Sequence, residues 1–400
     1  MKTGLKLAAA GVSTLALAGV VWAQNKPVAA GPVATYWMTA ETTSGLGAAM
    51  GRGGAGMVGA MMSGRMSGGT AHTLRLQLGS NRRAQGSPSA EHLPPAGLGA
   101  GASLPLLTPD RVRPEPTGPM GPMERPKGKM LIFWGCGEKA GPGQPVVIDF
   151  AKLAAGQLPA GFNTINVRAQ TPPSPGRDAT YGEWPNQRSS VTVPATGSLV
   201  GEHVVRGNYS PEIRFSLAPG QDFLPPLSVS NGQAGSGAVL LNWRQVTGAR
   251  AYLATAMGSS EDGTVVMWSS SATQMAGMGI PDFMSDGDLS RLVAQKVLMS
   301  PATTQCAVPA EAVRAMPQAM LQMIAYGPEA NFSYPPRPAP LQWAVKLRTK
   351  STYMTMLGMD MSAFGGAENG DDNAAARQQQ QPQKKKKKGL FDSIGGIPFP

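Results

Sequence analysis

Histidine and cysteine are scarce. The 400 residues hold three histidines, His72, His92 and His203, and two cysteines, Cys136 and Cys306. No two histidines stand four apart, which excludes the helical H-E-x-x-H zinc arrangement, and the cysteines lack the C-x-x-C spacing of redox and structural zinc sites. No G-x-S-x-G nucleophile elbow occurs, and no phosphate-cradling glycine loop follows a strand pattern. Acidic residues number only 24, so the paired carboxylates of a hydrolase have few candidates. Past the first two dozen residues, no run approaches the roughly 18 consecutive apolar residues that a membrane helix needs. These absences favour a protein without catalytic function and without a bound cofactor. An unrecognised hydrolase stays as an alternative, because carboxylate spacing is three-dimensional.

What is present begins at the first residue. MKTGLKLAAAGVSTLALAGVVWAQ places Lys2 and Lys6 before an apolar run that ends in Val21-Trp22-Ala23, the three regions of a secretory signal peptide over 1–23. Gln24 then starts the mature chain, and the expected location is the periplasm, the outer surface or the medium. No cysteine sits at the cleavage point to take a lipid. The formal charge of +11 falls to +9 without this segment. Residues 24–128 carry ten basic and five acidic side chains, residues 129–364 carry seventeen and fifteen, and residues 365–400 carry six and four. The central body is nearly neutral and shows no basic stripe with interleaved aromatics, so nucleic acid is not an expected partner.

In an oxidising compartment Cys136 and Cys306 either form one disulfide or remain two buried thiols. A bond between them would close a very long loop, worth roughly 4–5 kcal/mol in the chain-entropy account.

Glycine (51) and proline (36) make up a little over a fifth of the chain, which points to many turns and short strands. GLGAAMGRGGAGMVGAMMSGRMSGG, within a segment taken as 24–70, is too rich in glycine to order cheaply and reads as flexible. HTLRLQLG then alternates Leu74, Leu76 and Leu78 with polar neighbours, the period of a half-buried strand. KMLIFWGCG, PVVIDF, NTINVRA, GSLVGEHVVRG and PEIRFSLAP follow as short strand-like runs, and the stretch at 171–190 reads as a long loop. The expected unit is a β-rich domain over 71–220. In the second half, Val239, Leu241 and Trp243 share one face of GAVLLNWRQV, and Asp262-Gly263 turns the chain into TVVMWSSS. LQWAVKLRTKSTYMTML alternates Trp343, Val345 and Leu347 with Lys346, Arg348 and Lys350, a strand with one wet face. One helix is expected in between, capped by Asp286 or Asp288 and lined by Leu289, Leu292, Val293 and Val297.

The run LNWRQVTGARAYLATAMGSSEDGTVVMW resembles the B–C–C′ part of fibronectin type III domains, with Trp243, Gly248-Ala249 and Tyr252 at matching positions. The resemblance implies a β-sandwich over 222–362 of the kind used for adhesion, spacing and binding. The helical insertion departs from that family, as does the lack of a tyrosine-corner motif in MLQMIAYGPEA. The fold class is therefore mainly β, with two β-sandwich-like domains, a short helical insertion and disordered segments at both ends.

Two metal readings arise. PDFMSDGDLSRL places oxygen side chains at positions 1, 3 and 5 from Asp286, but position 12 is Val297 where a calcium loop needs a bidentate Glu. Methionine is abundant, 23 in all, clustered in MVGAMMSGRM, GPMGPM and MTMLGMDM. Thioethers suit Cu(I), so periplasmic copper handling is the second functional reading.

The last segment, 363–400, reads as a polar tether followed by Lys384, Lys385, Lys386, Lys387 and Lys388 and then GLFDSIGGIPFP. Leu390, Phe391, Ile394 and Ile397 fall on one face of a short helix. Lysines beside apolar anchors suit attachment to an anionic membrane surface, and equally docking to an envelope protein. The reading that best fits these features is an exported, non-catalytic envelope binding or scaffold protein, held by its C-terminal tail; nothing in the sequence speaks to its oligomeric state.

Overall fold

The computed structural model describes residues 31–50, 69–109, 128–157, 170–274, 280–336 and 338–358, together with Ile165 and Val167. In chain order the strands are β1 (Ala34–Gly45), β2 (Thr70–Ser80), β3 (Ala90–Leu93), β4 (Leu104–Pro105), β5 (Lys129–Trp134), β6 (Val146–Asp149), β7 (Thr180–Trp184) and β8 (Gly201–Gly207). They continue as β9 (Ile213–Leu217), β10 (Val229–Gln233), β11 (Val239–Trp243), β12 (Ala251–Ser259), β13 (Val265–Ser269), β14 (Gln305–Val308), β15 (Met320–Tyr334) and β16 (Trp343–Met356). Short helices α1 (Leu46–Met50), α2 (Phe150–Ala154), α3 (Asp286–Ala294) and α4 (Ala310–Ala315) fall between them.

The molecule is mainly β and has two sandwich-like cores, with α3 as the helical insertion. One nine-stranded sheet, ordered β6-β5-β13-β12-β15-β16-β1-β2-β7, runs through both. Against one end lies the four-stranded sheet β4-β3-β8-β9, and against the other the three-stranded sheet β10-β11-β14. The first core joins Tyr36, Met38, Leu74, Leu76 and Leu78 to Val205, Ile213 and Phe215. The second joins Tyr252, Trp268, Leu321 and Met323 to Val239, Leu241, Trp243 and Val308.

Two long strands serve both cores. β15 gives Leu321, Met323 and Ala325 to the second, while Phe332 packs against the first; β16 gives Trp343, Val345 and Leu347 to the first and Tyr353 to the second. At about 3.3 Å per residue, strands of 15 and 14 residues reach roughly 45–50 Å, enough to cross from one core to the other. A register shift between Tyr326 and Glu329 bends β15 between its two packing regions. Gly327 lies in that shift because a Cβ there would fall only 2.0 Å from Thr349 Oγ1.

The expected boundaries need correcting. The 71–220 stretch does not close a sandwich by itself, since its core takes β1 from the supposedly flexible 24–70 segment and β16 from the C-terminal half. The connection between the two halves is tied to those same strands. Thr42 Oγ1 donates to Leu224 O at 2.6 Å, Ser44 Oγ donates to Leu227 O at 2.5 Å, and Leu227 N donates to Ser351 Oγ at 3.0 Å. The region at 171–190 contains β7, an edge strand, as well as loop. NTINVRA lies outside the described residues apart from Ile165 and Val167, which pack beside α3.

The helix differs in its cap. Ser285, not Asp286 or Asp288, is the N-cap, its side chain accepting from Asp288 N. Leu289 and Leu292 are buried as expected, and Val297 is buried just beyond the helix end. With Ala251, Leu253, Ile324 and Tyr326 they form a third apolar cluster on the opposite face of the large sheet, so β12 is covered on both sides.

Cys136, just after β5, is bonded to Cys306 of β14, with the Cα atoms 4.9 Å apart. The bridge joins the end of the large sheet to the small sheet across the second sandwich and spans 170 residues of sequence. Replacing both cysteines by serine is expected to lower unfolding free energy by about 2–5 kcal/mol. Urea titration of the oxidised protein and the double variant measures this directly.

Candidate functional site

The outward face of the large sheet, opposite the first core, carries its densest polar arrangement. Register sets it up. Trp37, Thr39 and Glu41 of β1 stand beside Lys346, Arg348 and Lys350 of β16, and beside Gln77, Arg75 and Thr73 of β2. Gln77 in turn pairs with Glu183 of β7. Because side chains alternate along each strand, these residues share one face while Tyr36, Met38, Val345 and Leu347 point to the core.

Over β1 and β16 this face is largely covered, while Thr73 and Arg75 of β2 stay exposed. The chain before α3 crosses it, placing the Phe283 ring 4.5 Å from the Arg348 guanidinium and 4.9 Å from Lys350 Nζ. On the other side, Trp37 lies 4.9 Å from Arg348 and 5.4 Å from Lys346. Cations and rings thus alternate along the stripe. The lysine expected to face water is among the most enclosed, since Lys350 is 4% exposed. Its charge is met by Glu41 and Asp282, each at 3.3 Å. Glu41 also accepts from Thr352 Oγ1 at 2.7 Å. Lys346 pairs with Glu329 at 2.9 Å, and Glu329 accepts from Gln170 as well. Burial pulls the Arg348 guanidinium down to about 10, with Glu329 opposing, while its Nε donates to Thr39 Oγ1 at 2.8 Å.

At the β7 edge the stripe ends in a second network. Arg75 and Tyr181 both donate to Glu183 Oε2, at 3.1 and 2.7 Å, and Gln77 Nε2 donates to Tyr181 Oη and Pro173 O. Burial pushes the Tyr181 hydroxyl up to about 12, so it remains a donor. Glu183 also lines a cleft of about 520 Å³ with Leu107, Thr108, Pro109, Pro185 and Asn186. The stripe is a set of fixed charges with a mostly apolar cleft at its margin, suited to holding strands and straps in place or presenting a shaped surface.

The tail residues Lys384, Lys385, Lys386, Lys387, Lys388, Leu390, Phe391, Ile394 and Ile397 lie outside the described residues, as do residues 1–23, where a signal peptide is expected, and two of the methionine clusters. Of the third cluster, Met354 and Met356 end β16, and a Cβ placed on Gly47 of α1 would stand 3.3 Å from Met354 Sδ. The carboxylates considered for calcium are engaged otherwise. Asp286 Oδ1 accepts from Glu329 N at 3.2 Å, and Asp288 takes Ser285 Oγ and Arg291. Among the described residues no group of three or more His, Cys, Asp or Glu side chains is placed to hold a metal ion.

Two features escaped the sequence reading. The stripe was legible only as three outward cations in LQWAVKLRTK, which need countercharges somewhere. Two of the three histidines, far apart in sequence, meet in space: His92 Nε2 and His203 Nδ1 are 3.1 Å apart in the first core.

Comparison with family models, with curated proteins and with solved structures finds no match for this chain.

The stripe predicts an asymmetry. Glu41→Ala is expected to cost about 3 kcal/mol, because it leaves buried Lys350 short of its enclosed partner. Asp282→Ala, whose side chain is 70% exposed, is expected to cost less than about 1 kcal/mol. Urea unfolding of each variant, closed as a double-mutant cycle with Lys350→Met, reads both values.

Proposed function

We propose that the chain is an exported, non-catalytic binding or scaffold protein of the cell envelope, with a fibronectin type III-like sandwich over 222–362 and a C-terminal tail that attaches it to an anionic surface. The observation that carries this reading is the strand order of the second sandwich. Taking β11, β12 and β13 as B, C and C′, strand B belongs to a sheet ordered β10-β11-β14 and strand C to the opposing run β13-β12-β15-β16. In immunoglobulin-like sandwiches strand B likewise lies in one sheet, and strands C, F and G lie side by side in the other. Trp243 and Tyr252, the residues that prompted the comparison, meet edge to face in the core at 5.7 Å between ring centroids.

A scaffold role is further supported by how polar side chains are used. Among the described residues, the charges of the outward stripe are engaged with one another and with the crossing chain. Binding or spacing needs rigidity of this kind, and the tail supplies a separate means of attachment through five lysines, each worth about 1 kcal/mol beside an anionic membrane.

The test is co-sedimentation of the mature protein with anionic and neutral vesicles, at low and high salt, beside a version ending at Gly365. The reading expects full-length protein to pellet with anionic vesicles only, salt to release it, and the shortened version to stay in solution. If both proteins stay in solution, attachment to a membrane surface is wrong, and immobilised tail peptide then tests docking to a protein.

A further inference from the structure

The first core contains a closed chain of three buried polar side chains. Tyr36 of β1, His92 of β3 and His203 of β8 are all fully buried. Tyr36 Oη lies 2.7 Å from His92 Nδ1, His92 Nε2 lies 3.1 Å from His203 Nδ1, and His203 Nε2 lies 2.6 Å from Leu199 O. The carbonyl at the end can only accept, and this fixes every proton along the line. His203 carries its proton on Nε2, so its neutral Nδ1 accepts from His92 Nε2. His92 Nδ1 then accepts from the Tyr36 hydroxyl. Three links hold three protons, and each group is satisfied.

There is no room for a fourth proton. If His203 became doubly protonated, its Nδ1–H would meet the Nε2–H of His92. His92 would have to move its proton to Nδ1, Tyr36 would become the acceptor, and the Tyr36 hydroxyl hydrogen would lose its partner. A buried positive charge would remain, flanked by apolar and aromatic groups. Phe215 of β9 stacks on His203 at 5.0 Å, and Tyr36 stacks on His92 at 5.6 Å. On the β1 side the titratable neighbour is Tyr209, itself buried and kept protonated. Toward the loop after β9, the facing carboxylate is Asp222, which accepts from Ser198 Oγ and Leu199 N. From β2 comes His72, stacked on Phe223 at 4.0 Å. Glu202, Arg206 and Arg214 are engaged in ion pairs on the exposed side of the small sheet, and Glu91 accepts from Ser103.

We propose that the Tyr36–His92–His203 chain is an acid-sensitive latch, closing the sheet β4-β3-β8-β9 onto the large sheet at neutral pH and releasing it when a proton enters. Burial holds both imidazoles below their ordinary range, His92 most strongly, with His203 adding to the effect there. The sign follows. The open state binds protons from about pH 6.5 downward, while the closed state does not until lower pH, so closure is complete above that value and weakens as pH falls. The equilibrium constant for opening should rise by ten- to a hundredfold per pH unit in this window, according to whether one or both histidines gain a proton. All three histidines precede β10, the first strand of the second sandwich. The second core therefore provides an internal control.

Hydrogen exchange of the full-length protein followed by mass spectrometry, corrected for intrinsic rates, from about pH 7.5 to about pH 4.5 tests this. Protection over β3 and β8 should hold down to about pH 6.5 and then fall by up to ten- to a hundredfold per unit, while β11 and β12 keep theirs. Flat protection across β3 and β8, or equal loss in both sandwiches, overturns the latch. In a His72→Phe background, which removes the third imidazole that burial holds low, His92→Phe with His203→Phe keeps the site aromatic and should make β3 and β8 exchange independent of pH; retained pH dependence also overturns it. Should that pair fail to fold, ¹⁵N imidazole shifts of the native protein decide, since both rings must read as neutral Nε2–H tautomers at pH 7.

Discussion

Parallel pairing of β1 with β16, from Ala34 beside Trp343 to Gly45 beside Met354, is the interaction on which the rest of this structure depends. It joins residues some three hundred apart in sequence in the interior of a nine-stranded sheet. Removing it would strip the first core of Trp343, Val345 and Leu347, and would leave Glu41 and Lys350 without the adjacency that pairs them. Thr42 and Ser44, which fasten the connecting chain at Leu224 and Leu227, sit on the same strand. Closing so long a loop is costly, and the cost is met by two buried faces at once: apolar on the side of the first core, a cation–aromatic ladder on the other.

The two sandwiches are accordingly one architecture with unequal parts. The second has its strands in nearly continuous sequence, from β10 to β16, supplemented by β5 and β6 and closed by the disulfide. The first is assembled from distant pieces and contains the buried histidine pair. Contacts of large sequence separation slow folding, because loop-closure entropy is lost before they form, and a structure can open in separate cooperative units. A part built from such contacts is a natural place for conditional behaviour, while the contiguous part serves as a fixed body.

Much of the second half was legible because its strands obey a clean period of two. Val239, Leu241 and Trp243 are buried and their neighbours exposed, as the alternation requires. The β16 pattern was correct for the core side and misleading for the other. Lys346, Arg348 and Lys350 look solvent-facing in isolation, and only Phe283 and Asp282, sixty residues earlier, show why they are covered. β1 escaped notice because Trp37 occupies an outward position. ATYWMTAETTSG has apolar residues on both faces near its start, so its alternation is blurred where the sheet is packed from both sides. The histidine pair was invisible for a different reason. Nothing in AEHL or GEHVV marks the residues as partners; only the antiparallel register of β3 and β8 brings them together.

The most direct measurement of the account is the folding of the first half alone. A polypeptide of residues 24–221 contains every first-core strand except β16 and the end of β15. The shared-sheet account predicts that it lacks a cooperative unfolding transition and dispersed amide resonances, and that adding residues 222–362 restores both. A fragment 24–221 that folds cooperatively by itself would contradict it.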